Sequence, residues 1–244
     1  MRQVALFLTV AAAPLAAQDL GTRVAAAPDG LVRMSYASKP GVCGRGQDVI
    51  SRSGPRDGWD CDEGPVRVAL DVRSGKVTAV RTYVGGHWGQ AADRVTELGT
   101  VSAPAAAKYL VGLAERGLRK GDPILAATLA DSAVVWPDLL RIGRNANLPR
   151  ETRKQAVFWL SQDAGDAATR GLADLAEDQK QDRDVREHAV FALSQLDDDK
   201  GTEALIRLAK TNNDPAIRKR AIFWLGQSDD PRALALFEEL LTRK

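Results

Sequence analysis

The chain has 244 residues, 44% of them hydrophobic and 27% charged, enough apolar material to bury a substantial core in one or two domains. A formal charge of +2 is close to neutral, so no broad positive field is expected and nucleic acid is set aside as a partner. Two cysteines and two distant histidines offer no zinc-ligand spacing, so no metal site is expected either.

The chain opens with Met1-Arg2-Gln3, an apolar run from Val4 to Ala13, and then Pro14-Leu15-Ala16-Ala17-Gln18. A positive start, a short apolar stretch and small residues before a polar one have the pattern of a secretory signal peptide over 1–17. Cleavage is expected after Ala17, although Leu15 is large for its position. The run is too short for a comfortable membrane span and no later segment is apolar enough, so no span is expected. The mature chain is expected to be periplasmic or secreted. In such an oxidising compartment Cys43 and Cys61 are expected to form a disulfide, contributing about 3 kcal/mol in the loop-entropy model.

Residues 18–100 read as a small β-rich region. Residues 31–37 have the pattern of an edge strand. Residues 65–72 and 76–84 alternate apolar and polar side chains around Arg73-Ser74-Gly75, which predicts a hairpin over 65–84. Gly85-Gly86-His87-Trp88-Gly89 sets a histidine beside an indole and admits a ligand-loop reading. The plainer reading is a glycine-rich exit turn with Trp88 covering the β/α junction. It carries more weight, because a lone histidine lacks the second group that catalysis requires.

Residues 101–244 read as helical. Pro104 to Arg116 forms one helix with Ala107, Leu110, Val111 and Ala114 on one face. Asp122-Pro123 opens the next, with Asp as cap and Pro in the first turn. Residues 135–143 follow, with Leu139 and Ile142 facing inward. Then one stretch recurs three times: Arg153-Lys-Gln-Ala-Val-Phe-Trp-Leu-Ser-Gln162, Arg186-Glu-His-Ala-Val-Phe-Ala-Leu-Ser-Gln195 and Arg218-Lys-Arg-Ala-Ile-Phe-Trp-Leu-Gly-Gln227. A fixed period of this size is the mark of stacked two-helix units, none of which can bury its apolar face alone. Asp184-Val-Arg-Glu187 has the spacing of a capping box, and Asp214-Pro215 starts the third copy. Second helices are expected from near Asp166, Asp199 and Asp230. Their inward residues are Leu172 and Leu175, Leu205 and Leu208, then Leu236 and Leu240. Glu239 occupies the slot that matches Leu175 and Leu208. Such a polar residue suits a terminal cap, so the array is expected to end with this helix.

These residues resemble HEAT-type repeats, most closely the short variety called HEAT-like or PBS-lyase-type repeats, over about 120–244. Standard HEAT units run to about 40 residues or more, longer than the period found here. The resemblance implies a mainly α fold, an α-solenoid of stacked repeats, with the β-rich region at its start. It also implies a protein that binds another protein or peptide. No lyase residue of that family maps onto this chain.

A helical wheel places Ala156, Val157 and Leu160 on the buried arc and Trp159 on the flank that meets a neighbouring repeat. Phe158 falls about 150° from the centre of that arc, and Phe191 and Phe223 share its position. Stacking would line up Phe158, Phe191 and Phe223, with Gln162, Gln195 and Gln227 one turn on, as a candidate partner-binding ridge. The competing reading, which carries more weight, has each ring filling the seam between adjacent first helices, where burial is worth about 1.5–3 kcal/mol.

The acidic run 197–199 lacks the ligand alternation of a calcium loop and suits a turn with a helix cap. His188 matches Gln155 and Arg220 in the other copies, so a solvent-facing slot is expected. No phosphate loop, nucleophile elbow or paired-histidine metal motif occurs, so no catalytic residue and no cofactor are assigned. The favoured function is an exported, non-catalytic protein–protein interaction scaffold. The alternative, an enzyme or pigment-modifying lyase, rests on analogy with the family name alone.

Overall fold

The computed structural model describes residues 19–47, 50–52, 60–91, 94–118, 120–162, 166–196 and 200–242. The expected leader and the acidic run 197–199 lie outside the described residues. Helix α1 (Leu20–Ala25) comes first, its N-terminus capped by the Asp19 carboxylate, which accepts from the N–H groups of Gly21 and Thr22. Seven strands follow: β1 (Gly30–Tyr36), β2 (Cys43–Gly44), β3 (Ile50–Ser51), β4 (Asp62–Glu63), β5 (Val66–Arg73), β6 (Lys76–Tyr83) and β7 (Val95–Thr100).

The hairpin forms from β5 and β6. Its turn residues Ser74 and Gly75 both have positive φ, 50° and 69°, the backbone that a tight two-residue hairpin loop demands. The alternation in β5 then buries Val66, Val68, Leu70 and Val72 on one face. The main sheet runs β6-β5-β1-β7. Strand β1 is therefore central and not an edge. It pairs antiparallel with β5 and parallel with β7. Strand β7 carries Gly99 and has no buried residue, so period-2 patterning gives little sign of it. The short strands form a second sheet, β3-β2-β4. The Cys43–Cys61 disulfide ties its middle strand to the segment before β4, with the two Cα atoms 5.4 Å apart.

Nine further helices complete the described chain: α2 (Ala103–Glu115), α3 (Pro123–Thr128), α4 (Trp136–Arg144), α5 (Arg150–Ser161), α6 (Asp166–Glu177), α7 (Arg183–Ser194), α8 (Thr202–Thr211), α9 (Pro215–Leu225) and α10 (Pro231–Thr242). Helix α5 packs on α7 and α7 on α9, while α4, α6, α8 and α10 form a second row behind them. Leu172, Leu175, Leu205, Leu208 and Leu236 are buried between the rows as expected. Leu240 is not: it is exposed, with Leu234 and Leu241, because no helix among the described residues packs on the far side of α10. Glu239 does not fill a core slot either; its carboxylate meets Lys210 Nζ at 2.6 Å.

The arginines that open the first two copies do more than mark a boundary. Arg153, 1% exposed, donates from Nε to the Gly143 carbonyl and from its other nitrogens to Asp182 and Gln181. Arg186 repeats this one unit on, with Ala176, Asp214 and Asn212 as acceptors. A planar fork can satisfy three acceptors held in fixed positions, which an ammonium cannot. Each fork ties the C-terminus of one second helix to the start of the next unit's first helix. This geometry overturns the expected capping box. The N-cap of α7 is Asp182, whose carboxylate goes to Arg153 and not to the helix. Asp184 pairs instead with Arg150, and Glu187 with Arg220.

Sheet and helices share one core. The Tyr36 hydroxyl, buried in the sheet, donates to the Ala126 carbonyl of α3 at 2.7 Å. Lys39 N–H donates to Leu129 O, and Asp131 N–H to Ala37 O. Gly121, at φ 86°, brings the segment before α3 against β6, where Val80 N–H donates to Lys120 O. The sheet thus stands where a preceding repeat would stand for α2 and α3.

Candidate protein-binding face

The first helices α5, α7 and α9 set their aromatic side chains in one row, because each copy carries Phe at the same place on the helix. Phe158 and Phe191 are half-buried and Phe223 is 51% exposed. Neither of the two simple readings describes them. The Phe191 ring crosses the seam to Trp224, with centroids 5.0 Å apart, and keeps another part of its surface open. Phe223 meets the same indole edge-on at 5.0 Å, and Phe158 meets Trp159 likewise. Such pairs are worth about 0.5–1.5 kcal/mol beyond the area they bury.

Gln162, Gln195 and Gln227 are all exposed. In the first two copies the preceding serine hydroxyl donates to the phenylalanine carbonyl three residues back, at 2.7 Å, and accepts from the glutamine amide. The serine thereby satisfies a carbonyl at the helix C-terminus that the helix itself cannot. Gly226 replaces it in the third copy, which leaves Gln227 without that anchor.

His188 is not solvent-facing. It is half-buried, with its ring centroid 5.5 Å from that of Phe191. Burial holds its imidazole below the ordinary histidine range, Lys154 adds to this, and Glu151 opposes it. Lys154, Asp184, Glu187, His188, Phe191, Arg220 and Trp224 enclose a hollow of about 310 Å³ between α7 and α9. It offers aromatic walls with both signs of charge at the rim, suited to a side chain with an apolar body and a polar end.

The two tryptophans differ. The Arg52 guanidinium lies 5.3 Å over the Trp159 ring, so the β region covers this end of the row. Burial raises the pKa of Asp122, against the lowering effect of the Leu125 N–H it accepts from and of the nearby Trp159 indole. The Trp224 N–H is buried with no hydrogen-bond partner among the described residues. Glu187, which lines the same hollow as Trp224, has its carboxylate engaged by Arg220. That difference was not readable from the sequence, where both tryptophans sit in the same motif.

The glycine-rich loop after β6 is structural in its contacts. Trp88 does not cover the β/α junction. It lies between the guanidinium groups of Arg33 and Arg67, at 4.7 and 5.0 Å, with Tyr83 edge-on. Arg67 also donates to the carbonyls of Gly85 and Gly86, both of which have positive φ. His87 stays exposed beside it. Among the described residues no group of three or more His, Cys, Asp or Glu is placed to hold a metal ion, and no helix is long and apolar enough to cross a membrane.

A comparison with curated proteins finds no match. The family model for HEAT repeats matches residues 169–244, from α6 to the end of the chain. The first clear copy, opening at Arg153, precedes the matched residues. With the arginine forks and paired rows of helices already described, that match shows that the C-terminal part of this chain carries HEAT repeats.

Proposed function

We propose that this chain is an exported, non-catalytic scaffold that holds another protein or peptide against its first-helix face. HEAT repeats generally mediate contacts between proteins. The observation that carries the reading here is the row of part-exposed aromatic side chains in register on α5, α7 and α9, with the hollow beside Phe191. Aromatic residues at the centre of a ridge are the side chains that most often dominate binding energy. In this reading the helix pairs continue as an α-solenoid, and the near-neutral charge leaves nucleic acid out of its partners. The signal-peptide pattern of residues 1–17 supports a periplasmic or secreted location, and the disulfide is consistent with an oxidising compartment.

The experiment is comparative capture. Wild-type protein and the Phe223→Ala variant are immobilised, challenged with extract from the compartment in which the protein is found, and their captured proteins compared by mass spectrometry. Phe223 is the cleaner probe because its exposure leaves little stability to lose. The reading expects proteins held by wild type to be depleted from the variant, with stability lowered by no more than the about 0.5–1.5 kcal/mol of the edge-on pair with Trp224. Identical captured sets would count against it.

A further inference from the structure

Away from the first-helix face, α1, the β5–β6 turn, α2 and the segment after α2 enclose an open cleft of about 1180 Å³. That is somewhat larger than the about 300–1,000 Å³ usual for small-molecule sites. Its apolar floor comes from Leu20, Val77, Tyr109, Leu113 and Leu118, and glycines at 21, 75, 112 and 117 leave room above it.

Gly112 is the informative one. It sits within α2, where glycine costs a helix about 1 kcal/mol relative to alanine. The protein does not need the space: a Cβ there would meet only the guanidinium of Arg116, at 3.1 Å, the mobile end of a long side chain. The missing side chain therefore serves the cleft and not the packing of the fold.

The rim is cationic. Lys76 stands at the hairpin turn, Lys108 and Arg116 on and just past α2, and Lys120 beyond them. The only carboxylate among the described residues that line the cleft, that of Asp19, is already held by two backbone N–H groups and the Thr22 hydroxyl. Among the described residues no ion pair takes up Lys76, Lys108 or Lys120. Part of the β6 main-chain edge beside the cleft is already used, since Val80 N–H donates to Lys120 O.

We propose that this cleft binds a single-chain anionic amphiphile, a long-chain fatty acid. Its tail lies over Leu113 and Leu118 beside Gly112, and its carboxylate meets Lys76, Lys108 and Lys120. The site is separate from the aromatic row and does not depend on the scaffold reading.

The test is titration of the purified full chain with a dansyl-labelled undecanoic acid, followed by displacement with oleate. One saturable site is expected. Gly112→Leu fills the floor and improves helix propensity, so it should keep the melting temperature while weakening binding by about tenfold or more. The Lys108→Glu/Lys120→Glu double variant should weaken it comparably, and oleyl alcohol should displace the probe much less well than oleate. Absence of saturable binding would overturn the proposal. So would unchanged affinity in both variants, equal displacement by the alcohol, or binding of an acidic amphipathic peptide in place of oleate.

Discussion

Replacing Arg186 with methionine tests what holds one repeat to the next. The aliphatic stem survives, but three hydrogen bonds go: Nε to the Ala176 carbonyl at 3.1 Å, and the two terminal nitrogens to Asp214 at 2.9 Å and Asn212 at 3.4 Å. Ala176 lies in the last turn of α6, where helical carbonyls lack partners within the helix. Leaving that buried acceptor bare costs about 1–3 kcal/mol. Breaking a wholly buried ion pair costs about 3–5 kcal/mol. Asp214 falls short of that case: its side chain is 15% exposed, it still accepts from Ala216 N–H, and Arg183 lies 3.6 Å away. The combined loss should be about 3 kcal/mol, nearer the lower end of the buried range. Urea denaturation followed by circular dichroism measures it. Arg150→Ala is the control, since its pair with Asp184 is exposed on both sides and should be worth less than about 1 kcal/mol. Arg186→Lys should recover little, because one ammonium cannot reach three divergent acceptors. The reasoning fails if Arg186→Met loses no more than the control, or if lysine restores wild-type stability.

Reduction of the Cys43–Cys61 bridge, or its replacement by two serines, releases a loop with a sequence separation of 18 and should lower stability by about 3 kcal/mol, read by urea denaturation. For His188, the folded-state pKa lies below the unfolded value of 6.5, so the unfolded chain binds the proton more readily. Its stabilising contribution is present above that value and is lost as pH falls, so the melting temperature of wild type should drop more steeply than that of His188→Gln between about pH 7 and 5. Parallel curves would contradict this. Gly121→Ala should be severely destabilising, since its Cβ would fall 1.8 Å from the Val80 carbonyl oxygen at a φ of 86°. Gly99→Ala, with positive φ but open space, should show only the backbone cost of about 1–3 kcal/mol in a thermal melt.

The parts of the fold that were legible in the sequence are those written in local periodicity. The hairpin announced itself by alternation and Ser74-Gly75, and the stacked helices by a motif recurring in phase. What was not legible depends on residues distant in the chain. Strand β1 lies at the centre of its sheet only because β7 pairs with it in parallel, and β7 is short, polar and carries a glycine. In the sequence Arg153 and Arg186 stand only as the first residues of the recurring stretch. Their partners Asp182 and Asp214 stand 29 and 28 residues away, so burial becomes possible only when the units stack. A signal existed, since that Arg-to-Asp spacing recurs. The wheel arithmetic located the phenylalanines on their helices but could not decide between seam and surface. An aromatic ring is large enough to reach Trp224 across the seam and remain partly open. Leu240 was misplaced because a repeat pattern assumes a neighbour on both sides, and α10 has none beyond it among the described residues.

Photo-crosslinking in the producing cell tests the central claim most directly. A benzophenone amino acid replaces Phe223 on the first-helix face, and in a second strain replaces Glu203, exposed on α8 in the other row. If the aromatic row holds a partner, irradiation should yield a discrete protein adduct from position 223 and none of that mass from position 203. An adduct from 203 alone, or the same diffuse pattern from both positions, would contradict the account.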